Sequence, residues 1–279
     1  MSILGGRRSR VGAVARYVAL VVLAVLFLVP FYIIIRNAFS TNQTIVAPRW
    51  QWLPQKWDFG VISRMFADER LGLTDAMINS AVIAVVQTTA TVVLSLLAGY
   101  ALARLNNWVG KLFTLLTVFT LMVPMAVVFL PMFVMTAQFG WIDTYRGLII
   151  PVMFSAFATF MFRQTFVTFP VELEEAALID GANPFTTFWR VVVPNCLGII
   201  AAVGTITFIG AWNAFLWPLL ITRGETTTVQ ITLSRFMTSQ GVQYPELFAG
   251  ALVAVVPVVV VFLVLQRWLV QGVETSGIR

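Results

Sequence analysis

Six runs of apolar residues divide the chain, at Val18–Ile35, Ala76–Ala103, Leu112–Met135, Leu148–Phe169, Leu197–Leu220 and Leu247–Leu265. No Asp, Glu or Lys stands inside any of them, and the one Arg within these limits is Arg163, near the end of the fourth. A bilayer crossing needs about 20 mostly apolar residues, so each run reads as a membrane-spanning helix. The pattern predicts an all-α integral membrane protein with six transmembrane helices. Its expected parts are a cytoplasmic N-terminus (1–16), a first helix (17–36), an extracytoplasmic segment (37–75), a five-helix core (76–270) and a cytoplasmic tail (271–279).

Arg7, Arg8, Arg10 and Arg16 precede the first run, as they would in a signal peptide. The run is longer than the usual apolar region of such a peptide and no Ala-x-Ala site follows, so a retained span is expected. Four arginines place the N-terminus in the cytoplasm, and six crossings return the C-terminus to the same side. Ten of the 18 Lys and Arg then fall inside and eight outside. The segment 168–195, acidic at Glu172, Glu174, Glu175 and Asp180, becomes cytoplasmic by parity, because acidic residues contribute little to orientation.

The spans are built for a bundle. Pro30, Pro124, Pro131, Pro151, Pro218 and Pro257 stand in five of them, and each removes a backbone donor that neighbours must replace. In the second run Ser80, Gln87, Thr91 and Ser95 fall in a stripe of about 80° at helical spacing. Such a stripe either lines a wet pathway or bonds to another helix.

Composition narrows the chemistry. Of 279 residues 59% are apolar and 11% charged, against roughly 45–50% and 25% for soluble domains, which removes a soluble enzyme. With no His and one Cys, imidazole triads, His-ligated metal sites and intrachain disulfides are excluded, and no metal ligand set or catalytic residue is assigned. Gly110-Lys111 is followed by Leu112, not Ser or Thr, so this chain holds no nucleotide through a P-loop. The net charge of +6 is spread as flanks to apolar runs, which fits membrane lipid and not nucleic acid. The bias of 16 Arg over 2 Lys identifies no ligand.

The most informative polar segment runs from Pro170 to Pro194. Pro170 stands where a helix can begin, Glu172, Glu174 and Glu175 favour its dipole, and Gly181 suits a left-handed stop. Asn183 can cap a second helix opened by Pro184. Leu173, Ala176 and Ala177 share one face with small side chains that admit another surface. The predicted helix–Gly–helix has the form of a docking knob, and its carboxylates fit an anionic lipid surface poorly.

Glu175-Ala176-Ala177, three residues, Gly181, nine residues, Val191-x-Val193-Pro194 resembles the EAA loop of ABC importer permeases, with Val where the family pattern has Ile and Leu. Asn79-Ser80, Leu97–Arg104, Ala211–Leu216 and Gln266–Gly272 resemble the carbohydrate branch of that family, the maltose-type permease subunit. The resemblance covers about residues 70–279 and implies a type I importer permease fold with a MetI-like core. It also implies a division of labour. A second permease subunit, as a heterodimer, completes the pathway. An ABC ATPase dimer uses ATP and magnesium, an extracytoplasmic solute-binding protein delivers the solute, and this chain binds no cofactor.

By that resemblance Glu174, Glu175, Ala176, Ala177, Asp180, Gly181 and Pro194 form the ATPase-coupling site in the bacterial plasma membrane protein. Candidates for the solute pathway are Asn79, Gln87, Thr205, Phe208, Trp212 and Asn213, where aromatic rings beside amides suit a sugar; helix packing is the competing role. The segment Thr222–Glu246 resembles in position the loop that reaches into the binding protein, and the tail Gly272–Arg279 one that contacts the ATPase. Trp50, Trp52 and Trp57 fit an interfacial patch or a recognition surface. The expected solute is a sugar or sugar-like compound. A glycerol-phosphate compound, glycerophosphodiester or amino sugar is the alternative. A secondary transporter is the rival from another class, disfavoured because no ionisable residue lies deep in a span.

Overall fold

Long apolar runs leave the backbone no partner in lipid except itself, so helix is the only economical conformation for them. A computed structural model of the chain describes residues 10–238 and 241–276; Arg7, Arg8 and tail residues 277–279 lie outside them. The helices are α1 (Arg10–Ala38), α2 (Asn42–Ile45), α3 (Val61–Ala67), α4 (Leu73–Arg104), α5 (Trp108–Leu121), α6 (Met125–Gln138), α7 (Tyr145–Ile149) and α8 (Ala156–Val167). They continue with α9 (Val171–Ile179), α10 (Pro184–Thr187), α11 (Val193–Asn195), α12 (Leu197–Trp212), α13 (Leu216–Ile221), α14 (Val229–Ser234) and α15 (Tyr244–Ser276). Met237 and Val242 pair in a two-residue antiparallel ladder, Met237–Thr238 with Gly241–Val242.

Three helices, within α1, α4 and α15, are long and apolar enough to cross a bilayer alone, and three bent pairs raise the number to as many as six. The bends are where the six apolar runs and the helices differ. The expected third span, Leu112–Met135, is two arms, α5 and α6, bent by 101°. Pro124 has no N–H to continue the first arm, and Thr117 and Thr120 turn their hydroxyls back to the carbonyls of Phe113 and Leu116. The fourth run bends by 44° between Val152 and Ala156. The fifth does not reach Leu220 as one helix: α12 stops at Trp212 and α13 starts at Leu216.

The chain divides into two compact units, one holding the residues up to Asp68 with Leu233–Val253, the other Glu69–Thr232 with the chain from Ala254 onward. Leu233–Val253, inside the stretch 76–270, groups with the first of these units. That segment folds on itself, with Gln243 N–H donating to the Phe236 carbonyl (3.0 Å) and Leu233, Phe236 and Ala249 buried. In the same unit Arg36, 2% exposed at the end of α1, donates to Asn37 Oδ1 (2.6 Å) and the Gln51 carbonyl (2.7 Å) and lies 4.9 Å from the Trp50 ring. Trp50 and Trp52 meet edge to face, and Trp57 stacks on Phe59.

In the second unit α4 is the axis. One face packs on α8 and α12 around Leu96, Ala158, Phe162, Phe166, Phe188, Val192, Cys196 and Val203. Gly99 makes the approach possible. A Cβ there would lie 2.8 Å from Phe162 Cβ, 2.9 Å from Arg163 N and 3.0 Å from the Thr159 carbonyl. The polar stripe of α4 serves its neighbours: Thr91 donates to the Met153 carbonyl (2.8 Å), Ser95 to that of Ser155 (3.4 Å), and Ser80 accepts from Val229 N–H (2.8 Å). Two of these acceptors lie at the break before α8, where the Ser155 carbonyl also takes the Thr159 N–H (3.0 Å).

Because two of the three atoms facing Gly99 are backbone, the neighbours cannot yield. Gly99→Leu is expected to lower the melting temperature and the detergent-extracted yield of the protein sharply, at an overpacking cost of about 1–3 kcal/mol or more, with Gly99→Ala intermediate. A melting temperature for Gly99→Leu equal to wild type would contradict this packing.

Candidate functional site

The knob is set by local chemistry. Helix α9 begins after Pro170 and ends after nine residues, where Gly181 takes φ +86°. In that left-handed turn the Ala182 N–H donates to the Ala177 carbonyl (2.9 Å). Asn183 then caps α10, accepting from Thr186 N–H at 2.8 Å, with Pro184 as its first residue. A π-helical turn over Phe188–Val192 follows and carries Phe188 and Val192 into the core.

Four carboxylates that stand close together in sequence are separated here. Glu174 is 7% exposed and points inward, whereas Glu172, Glu175 and Asp180 remain exposed. Arg104, in the last turn of α4, pairs with Glu174 through Nη2 and also through Nε at 3.1 Å. Its Nη1 donates to the Phe166 carbonyl at the end of α8 (2.9 Å). The Tyr100 hydroxyl donates to Glu174 Oε2 (2.8 Å), and its ring meets Phe166 and Phe188 at 5.5 and 4.7 Å. Burial pushes the Glu174 carboxyl up, but the hydrogen bonds from Arg104 and Tyr100 and the guanidinium charge outweigh it and hold it below the usual range. Glu174 therefore fastens α9 to α4.

The face of α9 away from Glu174 holds Glu172, Ala176 and Ile179. Ile179 is 86% and Phe185 71% exposed, and Leu173 and Leu178 stand out beside them. Ala177 is half-buried, and Pro194 is exposed. An apolar, carboxylate-rimmed surface anchored from behind has the character of an interface.

The opposite end of α4 holds a second clamp. Asn79 Nδ2 donates to the carbonyls of Glu225 and Thr227 (3.1 Å each) and its Oδ1 accepts from the Tyr145 hydroxyl. Asp143, at φ +55°, receives Thr226 Oγ1 (2.7 Å) and the N–H groups of Thr226 and Glu225 (3.1 Å each). Burial raises its pKa, but the Thr226 hydroxyl and backbone N–H groups of Arg223, Glu225 and Thr226 dominate and bring it to about 2. Thr226, Thr227 and Thr228 are all buried. The segment before α14 is thus held in one conformation.

The solute-path candidates do not converge. Asn79 belongs to that clamp. Thr205 donates to the Ala201 carbonyl (2.7 Å). Trp212, 1% exposed and stacked on Phe208, donates to the Ala254 carbonyl (2.9 Å). Asn213 donates to Ile209 and accepts from Gln230. Gln87 alone of the six lines an open groove of about 390 Å³. Among the described residues no group of three or more His, Cys, Asp or Glu converges as a metal site.

Residue-by-residue reading missed Arg104, Tyr100 and Asp143. Tyr100 and Arg104 stand four apart, on one helical face at the end of an apolar run, which signals a shared partner but not which one. Glu174→Gln is expected to destabilise the folded protein by roughly 2 kcal/mol, less than the loss for a fully enclosed pair because a quarter of the Arg104 side chain is exposed. Since the folded Glu174 pKa is lowered, the wild-type margin over this variant is complete above the usual carboxylate pKa and disappears as pH falls through the folded value; thermal melts against pH read it. Asp143 gives the matching expectation at the other end. Protease resistance of the 222–229 segment persists from neutral pH to about 4 and is lost toward the folded value of about 2, while Asp143→Asn loses part of it at every pH. Identical digestion of the variant and wild type at pH 7 contradicts the clamp.

Residues 91–275 match the family described as the inner membrane component of binding-protein-dependent transport systems. The chain is 35% identical over 272 residues to the sn-glycerol-3-phosphate transport system permease protein UgpE of Yersinia pestis bv. Antiqua, covering 93% of this chain and 95% of that one. It is 30% identical over 270 residues to the lactose transport system permease protein LacG of Rhizobium radiobacter, covering 96% and 97%. Its fold matches a chain from the crystal structure of a bacterial ABC transporter involved in import of the acidic polysaccharide alginate, with TM-score 0.79, 22% identity and coverage of 95% and 99%. The chain belongs to the family of inner-membrane components of binding-protein-dependent transport systems, ABC importer permeases, and is a transport subunit, not an enzyme.

Proposed function

We propose that this chain is one half of the membrane pathway of an importer for an uncharged sugar or sugar-like solute, paired with a second permease and powered by a separate ATPase dimer that uses ATP and magnesium. The observation that carries the reading is the knob: its outer face is exposed and apolar, and its back is fastened to α4 and α8 through Arg104, Glu174 and Phe188. A push on such a surface moves two spans, whereas a push on a free loop moves only the loop. Arginine flanks orient both termini and the knob toward the cytoplasm of a bacterial inner membrane. The clamped 222–229 segment then faces the binding protein.

In this reading ATP binding closes the ATPase pair and draws the knobs together. The pull passes through Glu174 and Arg104 into α4, and the permease halves rock from one access state to the other. Exposed Glu175 and Ala176 contact the ATPase, and Gly181 keeps the turn that presents them.

The solute class rests on two supports. Relatives transport lactose in one case and sn-glycerol 3-phosphate in the other, by their names. The apolar runs offer no Lys or Arg at mid-depth, and a buried phosphate wants such a partner, which favours the uncharged solute. The higher identity to the sn-glycerol-3-phosphate permease supports the second reading, in which the partner permease supplies the cation. Uptake by the reconstituted complex with its binding protein, lactose against sn-glycerol 3-phosphate, decides between them.

Coupling is tested separately. Gly181→Asp, strained at φ +86°, and Glu175→Lys are each expected to insert in the membrane and to lose at least tenfold of solute-stimulated ATPase activity and uptake. Wild-type values for both quantities in both variants would refute the coupling role.

A further inference from the structure

Gln87 sits in the middle of α4, and among the described residues its amide makes no hydrogen bond, although the other three members of its polar stripe all do. An open amide at that depth of an apolar helix is costly unless something else occupies it. The groove it lines supplies a second open polar atom. The carbonyl of Ala214 stands in the break between α12 and α13, and the N–H that would normally close on it belongs to residue 218, which is Pro218. Irregular backbone at membrane depth is tolerated where it is buried in protein or faces a cavity, and here the residues of the break line one.

The rest of the lining is aromatic and aliphatic and carries no ionisable group. Phe215 is 43% exposed at the break. Phe129 stacks on Trp217 at 6.3 Å and 8°, and Trp217 is fixed by donation to the Gly147 carbonyl (3.1 Å). A groove of about 390 Å³ falls in the usual range for small-molecule sites. A larger groove of about 580 Å³ between α4, α5 and α8 makes the contrast. There the donor hydroxyls of Ser95, Thr117, Thr120 and Thr159 are spent on backbone carbonyls, and Ser155 Oγ accepts from Ala158 N–H.

We infer that the Gln87 groove is a solute subsite in which the amide and the Ala214 carbonyl bond hydroxyl groups while Phe129 and Phe215 cover the apolar face of an uncharged, hydroxyl-rich ring. One amide can both donate and accept, and the carbonyl accepts, which matches vicinal hydroxyls. Aromatic faces pack the C–H side of such a ring. With no cation in the lining, a phosphate gains nothing there. The inference rests on the proposed import of an uncharged sugar-like solute and adds that this subunit, and not only its partner, touches it.

The test uses the whole complex, with both permeases, ATPase and binding protein, in proteoliposomes, reading radiolabelled lactose and sn-glycerol 3-phosphate taken up per ATP hydrolysed. Gln87→Ala and Phe215→Ala are expected to lower lactose uptake per ATP at least fivefold, with partial recovery in Gln87→Asn, while the exposed control Val127→Ala behaves as wild type. Lactose uptake per ATP unchanged in both alanine variants overturns the subsite. So does a Gln87→Ala complex that assembles in reduced amount but transports normally per ATP, which would assign the groove to a helix of the partner permease. A wild-type complex that moves sn-glycerol 3-phosphate and not lactose overturns the uncharged-solute reading itself and the substrate class assigned to the groove with it.

Discussion

Arg104 occupies the last turn of α4 with its guanidinium divided between Glu174 and the Phe166 carbonyl. At that point α4 and α8 end and α9 begins, and each brings a group that needs a partner away from water: a cation, a helix-end carbonyl and a carboxylate. Any one of them alone would cost the desolvation of a charge or a strong acceptor. Together they cancel, and Tyr100 closes the remaining side. The knob can project from the membrane because this junction, with Phe188 and Val192 in the apolar layer beside it, makes its base part of the bundle. The same economy explains why one Glu of three is buried. Only residue 174 lies on the face that meets α4, and its neighbours are left to define the outer surface.

Backbone satisfaction governs the remainder. Proline stands in five of the six apolar runs, and the structure answers them differently. Near Pro151 the Gly147 carbonyl receives Trp217 and the carbonyls of Met153 and Ser155 receive Thr91 and Ser95 from α4, and the bend is modest at 44°. At Met122–Pro124 the arms diverge by 101°. At Asn213–Phe215 the break is left open on one side. Ser80, Thr91 and Ser95 of the polar stripe thus bond the backbone of other segments, and Gln87, the member of the stripe that bonds none, lines the groove.

The sequence was informative where cause and effect lie within a few residues. Apolar runs gave the spans, and Pro170, Gly181, Asn183 and Pro184 gave the knob, because caps and left-handed turns are local. It was uninformative where a residue's meaning depends on a distant partner. Glu174 and Glu175 are interchangeable in sequence until Arg104, 70 positions from Glu174, is known to be its neighbour. Asn79 looked like a pathway amide because a polar residue in a span invites that reading, yet its partners lie 146 and 148 positions along the chain. Trp212 likewise spends its indole N–H on a carbonyl of α15. Hydropathy alone also carries no angle, so the bent third run passed for a straight one.

The two clamps at opposite ends of α4 impose a condition on that helix which neither imposes alone. Asn79 and Ser80 must face one loop and Tyr100 and Arg104 another, both at fixed height, so the helix behaves as a keyed shaft whose ends are cut in a set angular relation. Each residue of an α-helix adds about 100° and 1.5 Å. Inserting or deleting one residue between the two pairs would turn one key out of its lock. A seven-residue insertion would restore the angle to within roughly 20° but lengthen the shaft by about 10.5 Å. Among descendants of this chain, then, loops are free to change length, while the interval from Ser80 to Tyr100 is expected to stay constant in residue count even as its apolar side chains are exchanged.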